Sequence, residues 1–231
     1  MKQQLPEDTN LLWHHSSAQM MIFAPESRLI RHVLTAALAL IASSASFAQK
    51  IDGVSDPPKE LSVPSLPNSA KVTANLYRGA QPGPSGYAQL KNLGIEIVVD
   101  LRQEKPEIKD EQARVEASGM RFVSIPWSPL NNPSRAQIIS FFDLLKDNPQ
   151  KKIFVHCEEG ADRTGTMIAL YRVGLDGWTP QQAVAEMNLF HFHSVLYPHL
   201  ARLVQEFPAA IAADPALLAG FAPKMAALRE P

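Results

Sequence analysis

The chain has 231 residues, of which 45% are hydrophobic, and a formal net charge of -1. A domain usually takes about 100 to 200 residues, so this length and composition allow one well-filled hydrophobic core. The chain has no long run of basic residues, which argues against nucleic acid as a partner. Its one cysteine, Cys157, cannot form an internal disulfide, so the compartment has to be inferred from other features.

The N-terminal region has the features of a secretory signal peptide. Basic residues precede an apolar run at 33–41, and the small residues that follow fit a cleavage site before Gln49. The apolar run is shorter than the roughly 20 residues that a membrane-spanning helix needs. We therefore predict a signal peptide within 1–48, with translation starting at Met20 or Met21. This predicts a periplasmic or secreted protein with no stable membrane association after cleavage, and an uncleaved membrane anchor is the alternative.

Proline content divides the remainder of the chain into three parts. Residues 49–70 contain four prolines and no apolar periodicity, which predicts an extended linker. Apolar patterns continue from Lys71 to Phe207, so we place the folded domain at 71–207. Residues 208–231 are rich in alanine and proline and are assigned to a C-terminal tail.

Within 71–207, strand patterns alternate with helix patterns. The run at 95–101 is nearly all β-branched, which is typical of a parallel strand buried on both faces. The alternation predicts a single-domain α/β fold, with a mostly parallel central sheet flanked by helices and right-handed crossovers. Capping boxes are predicted at Ser134 and Thr179. Strands are predicted at 72–77, 95–101, 120–125 and 153–155, and helices from Ser85, within 103–119, from Ser134, from Arg163, from Thr179 and from about Pro198.

The stretch 153–166, IFVHCEEGADRTGT, brings a strand, a loop and a helix together at one thiol. A short apolar strand leads into Cys157, five residues follow, and a helix is predicted from Arg163. Backbone N–H groups that curl inward between these two residues form a nest for an anion, and the helix N-terminus adds its positive dipole end. Both features favour a thiolate over the thiol, whose free pKa is about 8.5.

Two residues of this stretch suit phosphate chemistry. Gly160 permits a backbone conformation with positive φ that a side chain would resist. Arg163 presents a planar fork of N–H donors that can bind two phosphate oxygens and stabilise a transition state. A solitary cysteine is usually an inert core residue, so the prediction of a reactive Cys157 depends on the combination of strand, loop and helix.

The motif VHCxxGxDRTG closely resembles the active-site signature of the protein-tyrosine and dual-specificity phosphatase superfamily. LYRGAQP at 76–82 and VVDLRQE at 98–104 look like the opening segments of compact bacterial and fungal dual-specificity-like phosphatases. The resemblance covers about 71–206 and implies a phosphotyrosine-phosphatase-like fold. It also implies that phosphomonoesters are hydrolysed through a phosphocysteine intermediate on Cys157, with no metal and no cofactor.

The resemblance assigns roles to the residues of the motif. Cys157 is the nucleophile, Arg163 binds phosphate, His156 holds the cysteine backbone, and Thr164 donates a hydroxyl to the sulfur. The implied substrate is a phosphorylated protein or a small phosphoester. Its phosphate would be bound by the loop residues Glu158, Glu159, Gly160, Ala161, Asp162 and Arg163.

The general acid is the point at which the sequence departs from the superfamily. Typical members place an Asp on a mobile loop upstream of the nucleophile, whereas this chain has no carboxylate between Glu116 and Asp143. Asp162 is the first candidate, because some related phosphatases carry an Asp before the loop arginine. Glu159 and Glu104 are alternatives, and a leaving group that needs no acid is a further one.

Other residues and other functions stay open. Arg78 and Arg102 either extend the phosphate site or form structural salt bridges. Trp127 is expected to pack in the core. The histidines at 191, 193 and 199 lack the spacing of a metal site and are interpreted as surface residues.

Three alternatives to a protein phosphatase are retained. One is a pseudophosphatase that binds phosphorylated ligands without turnover. Another is a phosphatase for phosphoinositides or small phosphoesters, although Glu158 and Glu159 disfavour a crowded anionic substrate. A sulfur-transfer enzyme of the rhodanese type fits less well, because its cysteine loop differs in spacing.

Overall fold

The structure is a computed structural model. It describes residues 57–103, 106–214, 216, 217 and 219. The predicted signal peptide at 1–48, the candidate acid Glu104 and most of the predicted tail at 208–231 lie outside the described residues. Within the described ranges, no helix combines the length and the apolar character needed to cross a bilayer.

A six-stranded mixed sheet forms the centre of the domain. Its order is β1, β2, β3, β6, β4, β5, and the four strands from β3 to β5 in this order run parallel, while β1 and β2 pair antiparallel at one edge. This confirms the predicted α/β class with a mostly parallel sheet. The strands are β1 (Lys59–Glu60), β2 (Ala70–Lys71), β3 (Leu76–Gly79), β4 (Ile95–Asp100), β5 (Arg121–Ser124) and β6 (Lys152–His156).

Helices cover both faces of the sheet. Alternate residues of a strand point to opposite faces, and β4 has apolar side chains on both faces. Along β4, Ile97 and Val99 join the larger hydrophobic cluster with α3 to α6, whereas Val98 joins a second cluster with α1 and α2. The β-branched run therefore has its predicted burial on both faces. The helices are α1 (Gly86–Asn92), α2 (Pro106–Ala117), α3 (Arg135–Asp147), α4 (Asp162–Leu175), α5 (Pro180–Leu189) and α6 (Pro198–Ala213).

Local sequence signals placed the starts of two helices correctly. The Ser134 hydroxyl accepts a hydrogen bond from the backbone N–H of Gln137, and the Gln137 side chain accepts one from the backbone of Ser134 in return. Thr179 and Gln182 make the same reciprocal pair, with Pro180 at the first helical position. Both predicted capping boxes are confirmed.

The N-terminal strand prediction is wrong in its bounds. Of the predicted strand at 72–77, Leu76 and Tyr77 lie in β3, whereas 72–75 form a turn between β2 and β3. In this turn the Thr73 hydroxyl accepts hydrogen bonds from the backbone N–H groups of Asn75 and Leu76. A threonine hydroxyl that binds nearby backbone competes with strand pairing, and here it closes a turn. β3 then continues past the predicted end, through Arg78 and Gly79.

The domain also extends beyond the predicted bounds at both ends. The proline-rich segment 57–70 contributes β1 and packs Leu66, which is 1% exposed, against the second cluster. At the other end, α6 continues through Pro208 to Ala213, with Ile211 buried. Proline removes one helical hydrogen bond, and burial of the following turn offsets that loss.

Candidate active site

The phosphate loop, which we define as residues 157–163, lies at the carboxyl end of the central strand β6. Cys157 directly follows β6 and is 2% exposed, and α4 begins at Asp162 within the loop. Ligands of open parallel sheets bind at this edge. The N-terminus of α4 therefore lies in the same loop as the thiol, as the sequence predicted, and adds its positive dipole end there.

Gly160 is required at its position for two reasons. Its φ is +70°, which side chains rarely adopt. A Cβ atom built on Gly160 would also lie 2.5 Å from the carbonyl carbon of Gly79 and 2.6 Å from the backbone nitrogen of Ala80. The loop backbone thus packs directly on the end of β3.

Arg78 is a buried side chain that contacts the backbone of the phosphate loop. It is 0% exposed, and its Nη2 donates to the carbonyl oxygen of Gly160 at 2.7 Å. Its guanidinium stacks on the ring of Phe190 at 3.8 Å and lies 3.6 Å from Glu186. Burial lowers the pKa of Arg78 to about 10, against the opposing effect of Glu186 and Cys157. Of the two interpretations of Arg78, the structural one fits this geometry.

Glu186 connects Arg78 to a second buried arginine. Arg172 of α4 donates from Nε to Glu186 at 2.8 Å and from Nη1 to Asp176 at 2.8 Å. Burial raises the pKa of Glu186 despite the two arginines. These ion pairs connect β3, α4 and α5, and Arg78 extends them to the phosphate loop.

His156 links the thiol backbone to a buried carboxylate. Its Nδ1 donates to the carbonyl oxygen of Cys157 at 3.1 Å, and its Nε2 lies 3.2 Å from Glu111 Oε1. Burial lowers the pKa of His156, but the contact with Glu111 and the charges of Glu111 and Asp100 outweigh it and raise the pKa. The imidazolium form donates from both ring nitrogens, so it satisfies both contacts. The geometry agrees with the role that the resemblance gave to His156.

Arg102 completes this buried cluster. Its backbone N–H donates to Asp100 at 2.8 Å, its Nε donates to the same carboxylate, and its Nη2 contacts Glu111. Tyr87 also donates to Glu111, at 3.2 Å. The Nη1 atom of Arg102 lies 4.0 Å from the exposed carboxylate of Glu158. Arg102 is thus a structural partner of two carboxylates, and it lies near the phosphate loop.

Thr164 is fully buried, and its hydroxyl has no hydrogen-bond partner among the described residues. The predicted hydrogen bond to the sulfur of Cys157 is therefore not formed here, and the role of Thr164 stays a prediction.

The side chains of the phosphate loop differ in exposure. Glu158 and Glu159 are exposed, Ala161 is buried and Arg163 is half-buried. The loop thus presents two carboxylates to solvent.

Asp162, the candidate acid, is bound to a histidine from another part of the chain. It accepts from the backbone N–H of His193 at 2.9 Å and from His193 Nδ1 at 3.0 Å. This hydrogen bond and the charge of Asp162 raise the pKa of His193. His193 is 41% exposed, in agreement with its interpretation as a surface residue, but its contact with Asp162 was not predicted.

Among the described residues, two groups of side chains bring metal-ligating atoms within 4.8 Å of one another. In the buried group, Asp100 and Glu111 are occupied by Arg102. In the other group, Asp162 already accepts two hydrogen bonds from His193. The donors therefore have partners within the protein, and we assign no metal to either group.

The loop at 126–133, which lies upstream of the nucleophile, carries no carboxylate. Trp127 is buried, as predicted, and packs in the larger hydrophobic cluster. The carbonyl oxygen of Pro129 accepts from His199 Nε2 at 3.1 Å. Leu130 is 74% exposed.

Sequence reasoning missed Glu111, Glu186 and His193. A signal existed for Glu111, because Ile108, Glu111 and Val115 lie on one face of α2 and a carboxylate on an apolar face needs a buried partner. Glu186 likewise lies beside the buried Met187. His193 gave no local signal, because its partner is 31 residues away along the chain.

The family assignment follows from comparison with known proteins. A family model described as "DSP-PTPase phosphatase fused to NAD+ Kinase" matches residues 62–197, more than half of the chain. The chain belongs to this family of cysteine-dependent phosphatase domains, as its loop motif predicted.

Individual relatives agree with this assignment. The chain is 29% identical over 122 residues to the dual specificity protein phosphatase TpbA of Pseudomonas aeruginosa strain UCBPP-PA14, with 52% of this chain and 53% of TpbA covered. It is 26% identical over 130 residues to the putative tyrosine-protein phosphatase OCA1 of Mycosarcoma maydis, covering 54% and 80%. The chain therefore spans about half the length of the TpbA sequence that it matches.

A solved structure has the same fold. The crystal structure of Pseudomonas aeruginosa TpbA superposes with a TM-score of 0.56 at 24% identity, covering 68% of this chain and 96% of that one. A second TpbA structure, in complex with pTyr, gives 0.55 at 22% identity and covers 72% and 100%. These similarities support the phosphotyrosine-phosphatase-like fold.

Proposed function

We propose that the protein is a cysteine-dependent phosphatase that hydrolyses phosphomonoesters through a phosphocysteine on Cys157. The observation that carries the proposal is the placement of a buried thiol at the carboxyl end of a central parallel strand, in a loop that leads into α4. Family membership and the names of the relatives support it.

The first chemical step forms the phosphoenzyme. The loop N–H groups and Arg163 bind the phosphate, and the Cys157 sulfur attacks phosphorus as the bond to the leaving oxygen breaks. His156 donates to the carbonyl oxygen of Cys157, and its raised pKa favours the protonated form, which adds positive charge near the sulfur. A general acid gives its proton to the leaving oxygen.

The second step regenerates the enzyme. Water attacks the phosphocysteine, gives up a proton to the group that acted as acid, and the sulfur leaves as a thiolate. Arg163 stabilises the equatorial oxygens in both steps, since its planar fork matches the transition state. We assign the acid and base role to Asp162, in preference to Glu159, which is 66% exposed and 3.8 Å from His193.

We further propose that the substrates are phosphorylated proteins, with phosphotyrosine or dual specificity. The relatives are named dual specificity or tyrosine-protein phosphatases, and one solved structure of similar fold is a complex with pTyr. The two exposed glutamates of the loop would repel a crowded polyanion such as a phosphoinositide.

A substrate panel tests the function. The purified protein, assayed with a metal chelator present, is expected to hydrolyse an aryl phosphate and phosphotyrosine peptides, and Cys157→Ser to have no turnover. Phosphoinositides serve as the competing substrate class. Turnover by the Cys157→Ser protein would refute the mechanism, and phosphate binding without wild-type turnover would support the pseudophosphatase alternative.

We also propose that the protein is exported to the periplasm or secreted. The basic, apolar and small-residue pattern before Gln49 supports this. Cell fractionation with N-terminal sequencing is the test, and a mature N-terminus at Gln49 is expected. Recovery of the uncleaved chain in the membrane fraction would support the anchor alternative instead.

A further inference from the structure

The segment 190–193, which follows α5, is held against the phosphate loop by two residues. The side-chain nitrogen of Asn68 donates to the carbonyl oxygens of Glu159 at 2.8 Å and of Phe190 at 3.2 Å. Arg78 donates to Gly160 and stacks on Phe190. Each of these residues contacts both the loop and the segment, so the position of the segment relative to the loop is fixed.

The same segment presents His193 to Asp162. The backbone N–H and Nδ1 of His193 both donate to the Asp162 carboxylate, at 2.9 and 3.0 Å. The Asp162 side chain is 14% exposed, whereas that of His193 is 41% exposed. Asp162 is therefore shielded within the loop, and His193 can exchange protons directly with water.

We propose that Asp162 and His193 form the acid–base pair of the reaction, in which Asp162 exchanges the proton with substrate and His193 stores it. This inference rests on the proposed phosphatase function and names the residue that replaces the missing upstream acid. His193 acts through Asp162 and is thus a positioning and proton-storing residue.

The proton balance of the pair is the same at the start and the end of a turnover. As the sulfur–phosphorus bond forms and the phosphorus–oxygen bond breaks, one proton passes from the pair to the leaving oxygen. This leaves the Asp162 carboxylate beside a neutral His193. When water attacks the phosphocysteine, its proton passes through Asp162 back to His193, and the thiolate is released.

The charged groups that face His193 favour its protonated form. They are Asp162, through a hydrogen bond, and Glu159, whose carboxylate lies 3.8 Å from His193 Nε2. Both raise the pKa of His193, the hydrogen bond to Asp162 having the larger effect. The stored proton is therefore available below this raised pKa and is lost as the pH rises through it.

The variant His193→Asn separates proton storage from positioning. Asn keeps an N–H donor close to the position of Nδ1 and cannot carry a proton at neutral pH. His191→Asn is the matched control, because His191 is exposed on the same segment and its positive φ of 64° is one that Asn adopts readily. Thermal melts of both variants verify folding.

Two aryl phosphates report on the acid. Phenyl phosphate releases a leaving group whose pKa is about 10, so it needs protonation, whereas nitrophenyl phosphate releases a far more acidic phenol. We expect His193→Asn to lower kcat/KM for phenyl phosphate about 100-fold, with a much smaller loss for nitrophenyl phosphate. We also expect the alkaline limb of the pH profile to move to lower pH, and His191→Asn to behave like the wild type.

Equal losses for the two substrates, or an unmoved alkaline limb, would overturn the pair and leave His193 with a structural role only. A second measurement is independent of turnover: NMR titration of His193 in the Cys157→Ser protein, with and without Asp162→Asn. We expect Asp162→Asn to lower the pKa of His193, and an unchanged pKa refutes the pair. A wild type that hydrolyses neither substrate refutes the phosphatase function itself, even where the titration shows the coupling.

Discussion

The phosphate loop has a histidine–carboxylate pair at each end, and the two pairs differ in burial. His156 and Glu111 are 0% and 1% exposed and share a cluster with Arg102, whereas His193 is 41% exposed and faces Asp162 at the edge of the loop. The same two chemical groups thus serve different purposes. A buried pair fixes charge and geometry, because loss of charge on one group would leave the other as an unpaired buried charge. A half-exposed pair can gain and lose protons during turnover.

Removal of Glu111 is expected to have the largest effect on the buried pair. Glu111→Ala leaves His156 and Arg102 without a shared counter-charge, which should lower the free energy of unfolding by about 3 to 5 kcal/mol. Urea denaturation measures this loss. Glu116→Ala, on an exposed position of the same helix, is the control. A loss for Glu111→Ala no greater than that of the control would show that the cluster contributes nothing to stability.

The pH dependence of stability should separate the two pairs. Both histidines have pKa values raised in the folded state, so each contributes stability that is present below about pH 6.5 and lost as the pH rises through the folded pKa. We expect the loss to come mainly from His156, because solvent screens the exposed pair. Denaturation of the wild type and of His193→Asn across this window should give nearly parallel curves. A flat curve for His193→Asn would reverse the assignment.

Salt should have the smallest effect, and it should act on one pair alone. Raising the ionic strength from about 0.05 to 1 M shortens the Debye length to about 3 Å, which weakens exposed charge pairs and leaves buried ones nearly unchanged. The pKa of His193 should therefore fall towards its ordinary value, while the pKa of His156 should change little. NMR titration of both imidazoles at the two salt concentrations measures this. Equal shifts would mean that the burial of His156 gives it no protection.

The sequence predicted the loop and the sheet because both depend on local patterns. The β-branched run of β4, the two capping boxes and the spacing of Cys157 and Arg163 can all be recognised within a few residues. The positive φ of Gly160 followed from the same local reasoning.

The remainder depends on contacts between distant residues. Arg78 reaches Gly160 across 82 residues, and Asn68 reaches Glu159 across 91. The hydrophobic periodicity of a sequence does not indicate contacts between residues so far apart. The prolines of 57–70 likewise hid a segment whose apolar side chains pack on the sheet, since linkers and irregular packed segments have similar composition.

The packing of the segment 57–70 and of helix α6 also bears on which fragments of the protein should fold. The family match covers 62–197, yet β1 at Lys59–Glu60 precedes it and α6, which supplies Leu200, Val204 and Phe207 to the core, follows it. Trimming to the matched region would remove the edge strand β1 and expose the apolar face that α6 covers, and exposed edges and apolar patches promote aggregation. Recombinant fragments should therefore retain at least residues 57–214.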